Sequence, residues 1–334
     1  RETPMLGSQT QVVGSLQFLT PQTESSLYRT DKVLMIRDDQ GSFVRGEGVE
    51  TEKHLLPIYD ARQLSEADAM RLDANGFELV DAPVPAYDFM DHREVITDYY
   101  RDCERLVAQM TGAKAWAFDH NIRSVEGQSA GLKVKGGQDV QGPAHIVHGD
   151  YTLRSAPERL QQLAKAPSVN DTLRAVIPPG SALLTQEAVD RALAEDGRFA
   201  IINVWRNIAA EPVATHPLAL CDGQAVEPDD LEVIEIHMPD RVGENYWSKY
   251  HDRHRFYSYP AMNRDEALLI KQWDSAGGLA RSAGRNSDRN SYGPCTFSFH
   301  SAFIDPTTPE DVPDRWSIEV RCIAIYDESQ LFGP

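Results

Sequence analysis

The sequence predicts a mainly β protein with flanking helices, built on one β jelly-roll core. Two observations predict this fold. From Ala115 onward, short β-type runs are separated by Pro, Gly, Asp and Asn, a pattern typical of a β-sandwich or barrel. The strongest helical periodicity lies before that point, so helices lead and strands follow. This order favours a single β core with helices packed outside it.

The N-terminal part combines extended runs with helical patterns. Gln11 to Leu19 and Lys32 to Arg37 are predicted to be extended. Ser65 is a candidate helix cap, with Asp68 three residues later as a near capping box, for a helix that stops at Gly76.

A second, longer helix is predicted from Asp91 to Gly112. Its buried stripe would be formed by Val95, Tyr99, Cys103, Leu106 and Met110. The predicted strands are Ala115 to His120, Ala144 to Tyr151, Phe199 to Ile208, Val213 to Leu220, Val233 to Met238, Arg255 to Tyr259, Ala267 to Trp273, Thr296 to Ala302 and Trp316 to Tyr326. Pro157 to Ala166 and Gln186 to Asp196 read as surface helices, and Ser275 to Gly293 as a long loop.

We therefore expect one domain over residues 1–334. Residues 1–113 would be an extended and helical part that packs on the core, and residues 114–334 would form the jelly roll.

Charge and cysteine usage exclude several functional classes. The chain has 33 basic and 51 acidic residues, a formal net charge of -18, which repels nucleic acid and anionic membranes. The four cysteines are far apart and form no CxxC pair, so we expect reduced thiols and neither a zinc knuckle nor a dithiol motif. No long apolar segment is present. A cytoplasmic protein that binds a small molecule is therefore expected.

A candidate metal site lies on two of the predicted strands. His148 and Asp150 are two residues apart, so on a pleated strand their side chains share one face. His300 lies in a β-type run far along the chain, as a closing strand of a jelly roll would. Two imidazoles and one carboxylate form the facial triad that binds Fe(II) and leaves three positions open. The sequence thus predicts His148, Asp150 and His300 as metal ligands.

The run after His300 predicts a binding site for a carboxylate. Arg315, Ser317 and Arg321 alternate onto one strand face. A guanidinium can clamp a carboxylate with two hydrogen bonds while a serine adds a third. A distal histidine followed by Arg-x-Ser suits 2-oxoglutarate, with either Arg315 or Arg321 binding its distal carboxylate.

The linked motifs resemble one family of enzymes. The chain reads His-x-Asp, then Asn203-Val204-Trp205-Arg206, Trp273-Asp274-Ser275, Phe299-His300-Ser301-Ala302-Phe303 and finally Arg-x-Ser-Ile-Glu-Val-Arg. This order is similar to that of the iron/2-oxoglutarate oxygenases grouped with bacterial cephamycin methoxylation proteins and fungal gibberellin desaturases. The likeness covers residues from about Ala74 to Tyr326.

The resemblance implies a double-stranded β-helix, Fe(II), 2-oxoglutarate as co-substrate, O2, and oxidation of a small metabolite in natural product biosynthesis. Hydroxylation, desaturation and cyclisation are all open outcomes. No catalytic side chain beyond the metal ligands is expected, because the metal carries the reactive chemistry. Tyr151, Asn203 and Arg206 neighbour the metal strands and are candidates for the substrate pocket.

Two other kinds of enzyme share part of this pattern. A cupin-like metal dioxygenase or isomerase without 2-oxoglutarate would share the jelly roll and a His-rich site, but it does not require Arg315-x-Ser317. A zinc-dependent hydrolase could also use two histidines and an aspartate. The remaining histidine pattern, His251-Asp252-Arg253-His254, is polar on all sides and is interpreted as a solvated loop.

Overall fold

The computed structural model describes residues 11–23, 34–38, 43–239, 241–282 and 294–327. The strands are β1 (Gln11–Leu19), β2 (Leu34–Arg37), β3 (Phe43–Glu47), β4 (Thr51–Asp60), β5 (Phe77–Asp81), β6 (Lys114–Arg123), β7 (His148–Gly149), β8 (Phe199–Asn207), β9 (Leu218–Cys221), β10 (Leu231–His237), β11 (Val242–Ser248), β12 (Phe256–Ser258), β13 (Glu266–Asp274), β14 (His300–Ala302) and β15 (Ser317–Ile325). The α-helices are α1 (Leu72–Asn75), α2 (His92–Glu94), α3 (Tyr100–Thr111), α4 (Val125–Ser129), α5 (Ser155–Gln162), α6 (Gln186–Leu193) and α7 (Gly278–Ser282).

These strands form two sheets, as a jelly roll requires. The larger has ten strands in the order β1-β4-β12-β9-β14-β7-β11-β10-β2-β3, and the smaller has five in the order β5-β13-β8-β15-β6. The predicted fold class, mainly β with a double-stranded β-helix and flanking helices, is confirmed. Most of the buried apolar side chains form one continuous core.

The five-stranded sheet has two chemically different faces. In the central strand β15, Ile318 and Val320 alternate with Ser317, Glu319 and Arg321. The apolar pair joins the core with α3, which contacts β15. The polar set lies on the other face, toward the ten-stranded sheet, where Arg321 reaches Asp150.

The N-terminal part adds strands to both sheets. β1 pairs with β4 over nine residues at one edge of the larger sheet, and β5 pairs with β13 at the edge of the smaller one. The predicted helix Asp91 to Gly112 is present, as α2 and α3 with a π-helical turn Val95–Tyr99 between them, and it ends at Gly112 with φ 74°. Its buried residues include Val95, Tyr99 and Cys103.

The predicted helix that begins at Ser65 is reduced to a single turn. Ser65 and Asp68 bond to each other, with Ser65 Oγ donating to Asp68 Oδ2 over 2.6 Å, and close a local turn instead of a helix. Only α1 is helical here, and it ends at Gly76 with φ 90°. A Cβ on Gly76 would lie 2.8 Å from Ser298 Cβ, so this glycine also permits close packing against the segment before His300.

The two strands that carry the metal motif are shorter than predicted. β7 covers two residues and β14 three, because the flanking extended segments bond outside regular ladders. Val147 N donates to Gln17 O, and Ala302 N donates to Ala144 O. Strands β3, β4, β5 and β11 were not predicted. Part of the predicted extended run Lys32 to Arg37, and residues 283–293 of the predicted loop, lie outside the described residues.

Candidate metal centre

Two adjacent strands and one turn bring three candidate ligands together. His300 in β14 is the direct antiparallel partner of His148 in β7, and their rings lie 4.4 Å apart between centroids. Asp150 follows β7 immediately. Its Oδ1 lies 3.4 Å from His148 Nε2 and 4.0 Å from His300 Nε2. All three ligand atoms lie within 4.8 Å of one another, close enough for a single ion.

Neighbouring groups orient His148 and Asp150 for such an ion. His148 Nδ1 lies 2.7 Å from Ile146 O and therefore carries the proton, which leaves the Nε2 lone pair facing Asp150. Asp150 Oδ2 accepts from Asn203 Nδ2 at 3.1 Å and from Arg321 Nε at 3.4 Å. Its Oδ1 is thereby presented to the histidines. The donor set and its orientation fit a two-histidine, one-carboxylate Fe(II) site.

The charge states of Asp150 and His300 also fit a divalent metal site. Burial alone would raise the pKa of Asp150, but Arg321 and the two histidines hold it well below its usual range. Burial, with His148 nearby, lowers the pKa of His300 to about 3. At neutral pH the carboxylate is therefore charged and His300 neutral, which are the states a divalent metal requires.

Arg321 lies behind Asp150 and is fully engaged with the protein. Besides Asp150, its guanidinium donates to Asp119 at 3.0 Å, to Asn121 at 2.6 Å and to Glu319 at 3.2 Å. Asp119 and Asn121 stand on β6, so this arginine ties the edge strand of the five-stranded sheet to the cluster. It is held in one position by four oxygen atoms.

Arg315 lies on the same face of the sheet with a very different environment. It is 2% exposed, and its guanidinium lies over the Trp205 ring, 5.5 Å from the centroid. Its Nη1 donates to His216 O, while its Nε has no hydrogen-bond partner among the described residues. Burial and nearby Arg123 lower the pKa of Arg315 to about 9. Ser317, two residues on, is buried beside Arg123 of β6.

The three predicted substrate residues take different positions. Asn203 bonds Asp150, and Tyr151 follows Asp150 directly, with its pKa raised to about 12 by burial. Arg206 does not come to the cluster. Residues 203 and 206 are three apart on β8, so their side chains point to opposite faces of the sheet. Arg206 Nε donates to Tyr99 Oη at 3.1 Å in the layer next to the helices.

Three polar residues at the cluster were missed. Gln272 Oε1 accepts from Asp150 N at 3.0 Å, and Asp119 and Asn121 hold Arg321. The predicted strand stopped at His120, whereas β6 continues to Arg123. Polar residues at 119, 121 and 123 alternate with residues of the opposite face, and extending the period-two pattern would have found them.

The histidine pattern His251-Asp252-Arg253-His254 lies away from the cluster, and its interpretation as a solvated loop is wrong for His254, which is buried. His254 Nε2 lies 3.0 Å from Asp230 Oδ2 in a buried pair, and His120 Nδ1 lies 2.7 Å from Tyr100 Oη. The four cysteines are unpaired and buried. Within the described part of the chain, His148, Asp150 and His300 are the one group with metal-ligand spacing.

The sequence matches one family model over most of its length. The model is described as an oxidoreductase/YMDC permease-like domain, and it matches residues 16–177 and 181–325. The chain belongs to this oxidoreductase family. None of the helices in the ranges described is both long and apolar enough to cross a membrane.

Several relatives extend the identification. The chain is 38% identical over 202 residues to an uncharacterized protein in the dcmA 3' region of Methylophilus leisingeri, covering 60% of this chain and 92% of the relative. It is 28% identical over 261 residues to the alpha-ketoglutarate-dependent dioxygenase phiK of a fungal species, covering 77% and 79%. The phiK relative and two others whose names state dependence on alpha-ketoglutarate or 2-oxoglutarate place this chain in the Fe(II)/2-oxoglutarate-dependent dioxygenase family, as predicted. The resemblance to cephamycin methoxylation proteins and gibberellin desaturases stays a prediction.

A solved structure has the same fold. The iron and alpha-ketoglutarate-dependent endoperoxidase NvfI superposes with a TM-score of 0.70 at 22% identity, covering 95% of this chain and 98% of that one. In sequence, nvfI of Aspergillus novofumigatus is 26% identical over 277 residues, covering 81% of this chain and 82% of the relative.

Proposed function

We propose that this protein is an Fe(II)- and 2-oxoglutarate-dependent oxygenase that oxidises a small-molecule metabolite by hydroxylation, desaturation or cyclisation. The observation that carries the proposal is the convergence of His148, Asp150 and His300, with Arg315 and Ser317 on the facing sheet. When bound, Fe(II), 2-oxoglutarate and oxygen would supply an oxidant for the metabolite's C–H bond, with succinate and carbon dioxide as co-products.

His148, Asp150 and His300 would hold the metal, each through one atom. The two carboxylate oxygens of Asp150 have different partners, which supports this role. Asn203 and Arg321 both donate to Oδ2 and leave Oδ1 for the ion. Gln272 fixes the backbone at Asp150, and Ile146 fixes the ring of His148. These contacts keep the ligands in place before the metal arrives.

Arg315 with Ser317 would bind the distal carboxylate of 2-oxoglutarate. Both arginines of the Arg-x-Ser-Ile-Glu-Val-Arg run lie on the metal-facing side of the five-stranded sheet, but of the two only Arg315 has a buried nitrogen without a hydrogen-bond partner among the described residues. Arg321 already donates to Asp150, Asp119 and Glu319, so an incoming carboxylate would have to displace existing partners. We assign Arg321 to positioning Asp150, and Arg315 to the co-substrate.

Tyr151 is proposed to line the metabolite pocket, since it follows the ligand Asp150 directly. We propose a metabolite of secondary metabolism as the substrate, by resemblance to cephamycin methoxylation proteins and gibberellin desaturases. We further propose that residues 1–334 act as one catalytic domain in the cytoplasm. Four buried, unpaired cysteines are consistent with a reducing compartment. The formal charge of -18 argues against a nucleic acid partner.

Anaerobic reconstitution tests the proposal. Addition of Fe(II) and then 2-oxoglutarate should produce the weak visible charge-transfer band of the metal chelate, and admission of oxygen should yield succinate. The His300→Ala protein should give neither. Retained zinc with oxygen-independent hydrolysis would contradict the proposal and favour a zinc hydrolase. Oxygen consumption without 2-oxoglutarate would favour a cupin-like dioxygenase.

A further inference from the structure

A third arginine, Arg123, stands beside the site without a role in the mechanism above. Arg123 is the direct cross-strand partner of Ser317 in the β6–β15 ladder. Such partners share one face of a sheet, with Cβ atoms about 5 Å apart. An anion that accepts a hydrogen bond from Ser317 would therefore lie within reach of Arg123.

Arg123 and Arg315 have no carboxylate partner among the described residues, unlike Arg321. Arg123 Nη1 donates to a backbone carbonyl, Gly142 O, at 2.8 Å, and Arg315 likewise bonds a carbonyl. Glu319, an acidic side chain on their face, interacts electrostatically with both arginines but is bonded to Arg321 at 3.2 Å. Two guanidinium groups thus flank Ser317 with donors that no acidic residue in the described part of the chain satisfies.

The lowered pKa values of the two arginines favour the binding of an anion between them. Burial lowers the pKa of Arg123, and burial together with Arg123 lowers that of Arg315, so each cation is disfavoured where it stands. Arg123 also contributes to the lowered pKa of His300, which places it within electrostatic range of the metal ligands. A carboxylate bound between the two arginines would offset the repulsion between their positive charges.

We propose that Arg123 is a second guanidinium of the co-substrate subsite, binding the distal carboxylate of 2-oxoglutarate together with Arg315 and Ser317. This inference rests on the proposed function and deepens it. Its consequence is co-substrate specificity. A 2-oxo acid that lacks the distal carboxylate would leave the buried Arg315 and the half-buried Arg123 without an anionic partner, so it should bind far more weakly than 2-oxoglutarate.

The test compares two ligands on two variants. Affinities of the anaerobic Fe(II) protein for 2-oxoglutarate and for 2-oxopentanoate, which has the same carbon chain without the distal carboxylate, are measured by calorimetry and by the visible band. Arg123→Gln should weaken 2-oxoglutarate binding about tenfold or more while changing 2-oxopentanoate binding less than about twofold. Arg123→Lys, which keeps the charge, should lie between wild type and Arg123→Gln.

Arg191→Gln is the matched control, because it removes one positive charge from a surface ion pair with Glu187 on α6. It should leave both affinities unchanged. Unchanged 2-oxoglutarate binding in Arg123→Gln would overturn the inference, and a raised KM for the metabolite alone would reassign Arg123 to an anionic substrate. Equal weakening of both ligands would also overturn it, since the effect would then act through the metal or the fold. Failure of the wild-type protein to bind either ligand would instead remove the proposed function itself.

Discussion

The two faces of the five-stranded sheet use the same strands for opposite purposes. Toward the helices, Ile318 and Val320 are fully buried in apolar surroundings, and Arg206 donates hydrogen bonds to Tyr99 Oη and Arg264 O. Toward the metal ligands, Glu319 and Arg321 form charged hydrogen bonds, and the buried Nε of Arg315 has no hydrogen-bond partner among the residues described. One face buries apolar side chains that stabilise the fold, and the other holds the polar groups that we propose bind the metal and the co-substrate.

This difference predicts that substitutions on the two faces separate stability from binding. Apolar contacts on the helix side contribute to the free energy of unfolding in the absence of any ligand. Buried polar groups on the metal side contribute little net stability, because desolvation offsets their interactions. Their effect should appear when metal or 2-oxoglutarate is added.

The largest effect is expected from His300→Ala. Removing one of three metal ligands should abolish 2-oxoglutarate turnover and eliminate the increase in unfolding temperature that Fe(II) or Mn(II) produces in the wild type. Calorimetric titration with Mn(II) under anaerobic conditions measures the loss directly. His120→Gln is the control, since His120 lies on β6 and bonds Tyr100. Metal binding that survives in His300→Ala would remove His300 from the site.

On the helix side, Ile318→Ala should lower the free energy of unfolding by about 2–5 kcal/mol, because it opens a cavity in the core. Denaturant unfolding of the metal-free protein measures this. The affinity of the remaining folded protein for Mn(II) should stay within about twofold of wild type. A large loss of metal affinity with little change in stability would show that the two faces are not independent.

On the metal side, Arg321→Lys should lower the affinity for metal and leave the free energy of unfolding nearly unchanged. Lysine keeps the charge but cannot bond Asp150, Asp119 and Glu319 together, so Asp150 would lose its fixed orientation. We expect Mn(II) affinity to fall about 10- to 100-fold. The 2-oxoglutarate affinity of the metal-saturated protein should change much less. If 2-oxoglutarate binding is lost instead, Arg321 and not Arg315 is the co-substrate's anchor.

The smallest effect concerns pH. Burial lowers the pKa of His120 from 6.5 to about 4, so between these values the unfolded chain binds a proton that the folded protein does not. Stability should therefore decrease as the pH falls from about 6.5 to 4. His120→Gln should reduce that decrease by on the order of 2 kcal/mol. Unfolding curves at several pH values test this, and identical pH dependence in both proteins would show that His120 is charged when folded.

Much of this arrangement is visible in the sequence because it depends on local periodicity. The His-x-Asp spacing places two ligands together on any extended segment, and the long helix ending at Gly112 follows from its apolar period and its glycine stop. The same periodicity applied over too short a window ended the β6 prediction at His120, so Asn121 and Arg123 fell outside the predicted strand, while Asp119 lay within it but was not assigned to the site. Arg206 was a candidate for the substrate pocket because it is close to Asn203 in sequence. The alternation of side chains along β8 points it to the opposite face of the sheet, away from the metal ligands.

By itself, the sequence determined the fold class, the three candidate ligands and the Arg-x-Ser run, since each depends on residue types at short, regular spacings. Only the tertiary structure decided which partners each arginine meets. Arg321 and Arg315 are both on the metal-facing side of the sheet, but β6 supplies Asp119 and Asn121 to one of them, whereas the other meets the Trp205 ring and a carbonyl. The free donors of a guanidinium depend on partners from distant strands, and local spacing carries no information about those partners.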